Sequence, residues 1–76
     1  MDFEKLVDEI EAALERAGLT GFCTVGKVEA VTGRSRRELS RAITEGALPA
    51  CQRAKGCAIT LLRRHVAEYL AALAAQ

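Results

Sequence analysis

Aromatic side chains are nearly missing from this sequence: 76 residues hold two Phe, one Tyr and no Trp. Stacking platforms for single-stranded nucleic acid need exposed rings, and Phe3, Phe22 and Tyr69 leave few once a core takes its share. Histidine occurs once, as His65, and its neighbours are arginines rather than an orienting carboxylate. Both Asp residues, Asp2 and Asp8, lie near the start of the chain. Ser35 is better explained as a helix cap than as a nucleophile, and there is no phosphate-cradling glycine motif. No catalytic residue is assigned, and the protein is not expected to be an enzyme. A chain this short has room for one small domain, so no cofactor and no small-molecule substrate is expected.

Paired cysteine spacing is also absent. Cys23, Cys51 and Cys57 make an odd count with no CxxC. Such thiols are expected to be reduced and to act as small apolar fillers, and no metal site is expected from them with His65. No apolar run approaches the length of a membrane span. Asp2 and Glu4 do not suit a signal peptide, so no membrane partner and a cytoplasmic location are expected.

What is present is a core of aliphatics and a divided charge. Hydrophobic types make up 50% of the chain, yet 14 of them are Ala; the large aliphatics are nine Leu, five Val and three Ile. The net charge of +1 conceals an asymmetry. Residues 1–18 hold six acids and two bases, a net of −4, whereas residues 19–76 hold nine bases and four acids, a net of +5. A basic segment beside an acidic one calls for an anionic partner to be considered.

Residues 3–17 read as an amphipathic helix. Phe3, Leu6, Val7, Ile10, Ala13, Leu14 and Ala17 recur at three- and four-residue steps, with Asp2 to cap the start and Gly18 to end it. Leu19 to Cys23 read as a connector. Thr24 is a plausible N-cap for a helix from Val25 to Thr32, buried through Val25, Val28 and Val31. Gly33 breaks it, and Ser35-Arg36-Arg37-Glu38 has the form of a capping box opening a second helix with the stripe Leu39, Ala42 and Ile43. Gly46 sits where a C-terminal glycine belongs. Helix, short glycine turn, helix is the helix-turn-helix pattern. After Leu48-Pro49, Ala50 to Arg53 and Cys57 to Leu61 read as two strands of a hairpin around Ala54-Lys55-Gly56. A last helix runs from about Arg63 to Ala75 on the face of Val66, Tyr69, Leu70 and Leu73. The expected fold is thus mostly α with a small β-hairpin: a unit over 24–75, with the acidic amphipathic helix of 1–18 packed on it.

Four stretches carry a family resemblance. Thr24-Val25-Gly26-Lys27-Val28, Gly33-Arg34-Ser35-Arg36-Arg37-Glu38-Leu39 and Glu45-Gly46-Ala47-Leu48-Pro49-Ala50 resemble a helix opening, a turn into a recognition helix and a Gly-x-Leu-Pro step into a wing. Leu61 through Leu70 resembles a strand-to-helix close. Residues 24–70 as a whole resemble the excisionase and MerR-like winged helix-turn-helix family. The resemblance implies a double-stranded DNA-binding protein of phage or mobile-element type, either an excisionase acting in DNA recombination or a short transcription regulator. The DNA-recognition part of a phage packaging terminase has a similar winged fold. The sequence departs from the family at Glu29, where a small Ala is usual, and at Thr32 and Arg34, where aliphatic residues flank the turn glycine. These departures weaken the hydrophobic lock between the two helices and lend some weight to an alternative, a protein-interaction module on the same scaffold.

The candidate DNA contacts follow from helix geometry. With Leu39, Ala42 and Ile43 turned inward, Arg37, Ser40, Arg41 and Thr44 face the other way and Arg36 lies on the flank. Arg can fork onto the O6 and N7 of guanine, and hydroxyls suit bases or phosphates. The bland reading is a solvated face with Glu45 paired to Arg41. Lys27 on the first helix, with Arg53 and Lys55 on the wing, suits phosphates. Arg63 and Arg64 oppose the dipole at the start of the last helix; a phosphate there would reverse the sign, and otherwise the side chains bend into water. One module of this size binds weakly alone, so a homodimer or an accompanying protein is expected.

Overall fold

Helix α1 (Phe3–Arg16) begins at Asp2, whose carboxylate accepts the Glu4 N–H at 3.1 Å. The structure, a computed structural model, describes residues 2–52 and 59–76. Gly18 closes α1 with φ +97°, a left-handed conformation that suits glycine, and the Leu19 N–H then returns to Leu14 O at 3.0 Å. That turn drives Leu19 back into the core, where it is fully buried. The apolar stripe of α1 is narrower than its periodicity indicates. Val7 and Leu14 are buried and Leu6 and Ile10 pack at the margin, but Phe3, Ala13 and Ala17 stay on the surface.

The segment expected to be a connector contains a strand instead. β1 (Phe22–Thr24) pairs antiparallel with β2 (Thr60–Leu62), with Phe22 opposite Leu62, Cys23 opposite Leu61 and Thr24 opposite Thr60. Three residues are too few for a period-two signal, although the alternation is there: Cys23 and Leu61 point into the core, and Phe22 and Leu62 point out. Of the expected hairpin the described residues include one antiparallel bridge, Cys51 with Thr60, with N···O distances of 2.9 and 2.8 Å; β2 also takes β1 as its strand partner. The intended turn, with Arg53, Lys55, Gly56 and Cys57, lies outside the described residues.

Each strand runs straight into a helix. Thr24 ends β1 and caps α2 (Val25–Thr32), its hydroxyl accepting the Lys27 N–H at 3.2 Å. Gly33 ends α2 with φ +76°. Ser35 caps α3 (Arg36–Thr44), accepting the Glu38 N–H at 3.1 Å. Only that half of the capping box forms, because the Glu38 carboxylate is taken by Arg34 and Tyr69. Past α3 the Ala47 N–H returns to Ala42 O at 2.9 Å, and Leu48 follows into the core, fully buried. Leu62 ends β2 and precedes α4 (Arg63–Ala74), offering no side-chain cap.

Over the described residues the chain is therefore mostly helical, four helices with one two-stranded antiparallel sheet. One cluster joins all of them: Val7 and Leu14 of α1, Val28 of α2, Leu39 and Ala42 of α3, Leu61 of β2, and Val66, Ala67 and Tyr69 of α4. α1 packs along α4 in the opposite direction. Arg63, Ala67, Ala71 and Ala74 lie on one stripe of α4. Its start meets Glu11, and its end lies beside Phe3 and Leu6. Alanines on that stripe let the two helices come close, and Ala67 and Ala71 are fully buried.

Candidate nucleic-acid interface

Burial of Leu39 and Ala42 turns the opposite side of α3 to solvent. Arg36, Arg37, Ser40, Arg41 and Thr44 are all exposed, as is Lys27 in the first turn of α2. Among the described residues Arg37 and Arg41 make no ion pair, and Glu45 does not close on Arg41; it reaches Arg41 only through its backbone N–H. These two guanidinium groups are thus presented outward, nearly one helical turn apart on the same face.

Arg36 is partly engaged. Its Nε stands 3.8 Å from Glu29 Oε2, and an ideal Cβ at Gly26 would lie 3.4 Å from its Nη2. The lack of a side chain at Gly26 lets the guanidinium rest against the start of α2. Arg36 and Ser40 then line an open groove with Thr24, Val25 and Gly26. Glu29, one of the departures from the family pattern, here supplies an ionic tie between α2 and α3 in place of a small packed residue.

The other two departures also acquire partners. Thr32 Oγ1 donates to Val28 O at 2.7 Å and accepts the Arg34 N–H at 3.2 Å. Arg34 Nη1 reaches Glu38 Oε2 at 3.2 Å, and the Tyr69 hydroxyl donates to the same oxygen at 3.1 Å. Burial, and then the charge of the Glu38 carboxylate that accepts its proton, push the Tyr69 phenol above its ordinary value. Glu38 thereby ties the first turn of α3 to α4. No spacing rule relates positions 38 and 69, so the sequence held no signal for this contact.

Arg63 and Arg64 take neither of the two courses open to them in the sequence. Arg63 Nε pairs with Glu11 Oε2 at 3.3 Å, and its Nη1 donates to Leu19 O at 3.0 Å. Arg64 Nη1 pairs with Asp8 Oδ1 at 2.5 Å and Glu11 Oε1 at 3.2 Å. Hydrogen bonds to Asp8 and Glu11 raise the Arg64 guanidinium further above its ordinary value. A sequence signal for these pairs existed: Asp8 and Glu11 are three residues apart and share a face of an acidic helix.

Arg53 and Lys55 lie outside the described residues. His65 borders an apolar cleft with Phe22, Pro49, Cys51 and Leu62; Phe22 is 69% exposed there. Among the described residues no three His, Cys, Asp or Glu side chains gather as metal ligands, and no helix is long and apolar enough to cross a membrane. Cys23 is buried, and burial raises its thiol above the ordinary value against the opposing charge of Arg63. No family model, curated protein or solved structure matches the chain.

Proposed function

We propose that the protein is a small sequence-specific double-stranded DNA-binding protein with a winged helix-turn-helix, in which α2, the Gly33-Arg34-Ser35 turn and α3 form the helix-turn-helix. α3 enters the major groove and reads bases with Arg37 and Arg41, while Ser40 and Thr44 add hydroxyl contacts. Lys27 and Arg36 meet phosphates and fix the register. The segment that returns to β2 provides the wing, with Arg53 and Lys55 on the backbone. An excisionase-like role and a short transcription regulator are both compatible with this arrangement.

The observation that carries the reading is the exposed pair Arg37 and Arg41 on α3, neither of which makes an ion pair among the described residues. Glu38 and Glu45, three residues before and four after Arg41, form no ion pair with it among the described residues. The acids that do form ion pairs among the described residues serve other partners: Glu38 holds Arg34 and accepts from Tyr69, Glu29 meets Arg36, and Asp8 and Glu11 meet the start of α4.

Fluorescence anisotropy with labelled mixed-sequence duplex at low and moderate salt tests this directly. Binding that weakens steeply with salt is expected, with a log–log slope of roughly −4 if about four to five phosphates are neutralised. Absence of binding to any duplex at low salt removes the reading and leaves the protein-interaction module.

A further inference from the structure

We infer that α1 is a built-in anion: through Asp8 and Glu11 it occupies Arg63 and Arg64 and withholds both cations from nucleic acid. The inference rests on the DNA-binding reading for its partner, but the contact itself is independent of it.

The geometry is that of a bridging anion. Glu11 gives one carboxylate oxygen to each arginine, Oε2 to Arg63 Nε at 3.3 Å and Oε1 to Arg64 Nη1 at 3.2 Å. Asp8, one turn earlier on the same face of α1, adds Oδ1 to Arg64. Two neighbouring guanidinium groups spanned by a pair of anionic oxygens are also the arrangement in which arginines take a phosphate. The clasp is partly sheltered, with the Arg63 and Glu11 side chains 21% and 25% exposed, so salt screens it less than it screens an open surface pair. Arg63 is held a second time by Leu19 O, which fixes its side chain toward α1.

α1 does not need to leave for the clasp to matter, and its place in the core argues that it stays: Val7 and Leu14 are buried against the rest of the domain. What the clasp changes is the sequence-independent part of binding. Two cations at the start of α4 would attract any duplex alike, whereas Arg37 and Arg41 on α3 can discriminate between bases. Silencing the first pair lowers affinity for random sequence and leaves the base-reading face intact, which raises the ratio of specific to non-specific binding. The acid-rich N-terminal segment of a chain with a basic remainder thereby acquires a purpose that charge counting alone does not give it.

The test compares the parent with D8N/E11Q, which neutralises the clasp with side chains of the same shape. E4Q/E15Q serves as control, removing the same charge from α1 at acids that make no ion pair among the described residues. For mixed-sequence duplex, the clasp variant is expected to bind about tenfold more tightly at low salt, with a log–log slope steeper by roughly 2 than the parent. The control should leave the slope unchanged. In parallel, the Nε–Hε resonances of Arg63 and Arg64 are followed during titration with inorganic pyrophosphate. They should move in the clasp variant and stay put in the parent. If D8N/E11Q does not remain folded, Glu11→Gln alone is read in the same two ways, since Glu11 touches both arginines. Resonances unmoved by pyrophosphate in the folded variant, with a parental slope, overturn the inference and leave the clasp a purely structural contact. A pyrophosphate response with no duplex binding by any of the proteins upholds the clasp and removes the DNA-binding reading instead.

Discussion

The Tyr69 hydroxyl of α4 donates to Glu38 Oε2 of α3 at 3.1 Å, and Arg34 Nη1 reaches the same oxygen at 3.2 Å. One carboxylate thus fixes the turn between α2 and α3 to the body of the domain. Tyr69→Phe removes the hydroxyl without changing the packing of the ring. The expected cost is about 1 kcal/mol, the net worth of a hydrogen bond whose acceptor keeps another partner. Glu38→Ala loses both contacts and should cost more. Urea denaturation of the parent and the two variants checks the order; equal midpoints for all three would show that the tie carries no stability.

Arg37 and Arg41 supply the second prediction. Arg37→Ala and Arg41→Ala should each weaken binding to a selected duplex by about 1–3 kcal/mol if they fork onto guanine. Because neither makes an ion pair among the described residues, both variants should unfold at the parental denaturant concentration. Lys27→Ala, at a phosphate contact, should weaken selected and random duplexes alike. Selection of a site from a random pool followed by competition titrations separates these cases. A selected site bound equally well by the Arg37 and Arg41 variants rules out α3 as the reading helix.

Stability should fall at high pH, and the sign follows from two groups. Burial raises the Cys23 thiol from 9.0, and burial with the Glu38 contact raises the Tyr69 phenol from 10.0. Each folded value lies above the unfolded one, so the folded state holds its proton longer. Below the ordinary thiol value both contributions are fully present. As pH rises through that value the unfolded chain releases its thiol proton first, and stability declines until the folded group titrates; the phenol repeats this at higher pH. Denaturation midpoints measured from neutral to alkaline pH should therefore drop, and the drop should be shallower in Tyr69→Phe and in Cys23→Ala. A parental slope in both variants would assign the alkaline loss to other groups.

Helix ends were the most legible part of this fold. Asp2, Thr24 and Ser35 cap the helices they were expected to cap, and Gly18, Gly33 and Gly46 all take positive φ. Caps are local chemistry, readable within four residues. The sheet was not legible in the same way. β1 has three residues, and its partner lies some forty positions later, so no local pattern announces the pairing of Cys23 with Leu61. The outward set of α3 followed from its period, because Leu39 and Ala42 fix which side is buried. The ion pairs of Arg63 and Arg64 did not, since they depend on how α1 lies against α4. The face read for the last helix, Val66, Tyr69, Leu70 and Leu73, leaves out Ala67 and Ala71 for the same reason, yet both are fully buried where two helices approach closely.

The last prediction concerns α1 as part of the core. Leu14 is 6% exposed and Val7 1%, and both belong to the apolar cluster that joins the four helices. Leu14→Ala should cost about 2–5 kcal/mol, the range for deleting a buried leucine side chain. Total stabilities of small domains are about 5–15 kcal/mol, so one such change consumes a large share. Removing residues 1–18 goes further. It uncovers the Ala67 and Ala71 stripe of α4, and it leaves Arg63 and Arg64 at the start of a helix whose dipole they oppose. A domain of 76 residues has little core to spare. The shortened chain is therefore expected to lose its cooperative thermal transition, followed by circular dichroism, whereas Phe3→Ala, on the exposed margin of α1, should leave it nearly unchanged. If the chain lacking residues 1–18 melts at the parental temperature and stays monomeric, α1 is an appendage and the clasp at Arg63 and Arg64 contributes nothing to the fold.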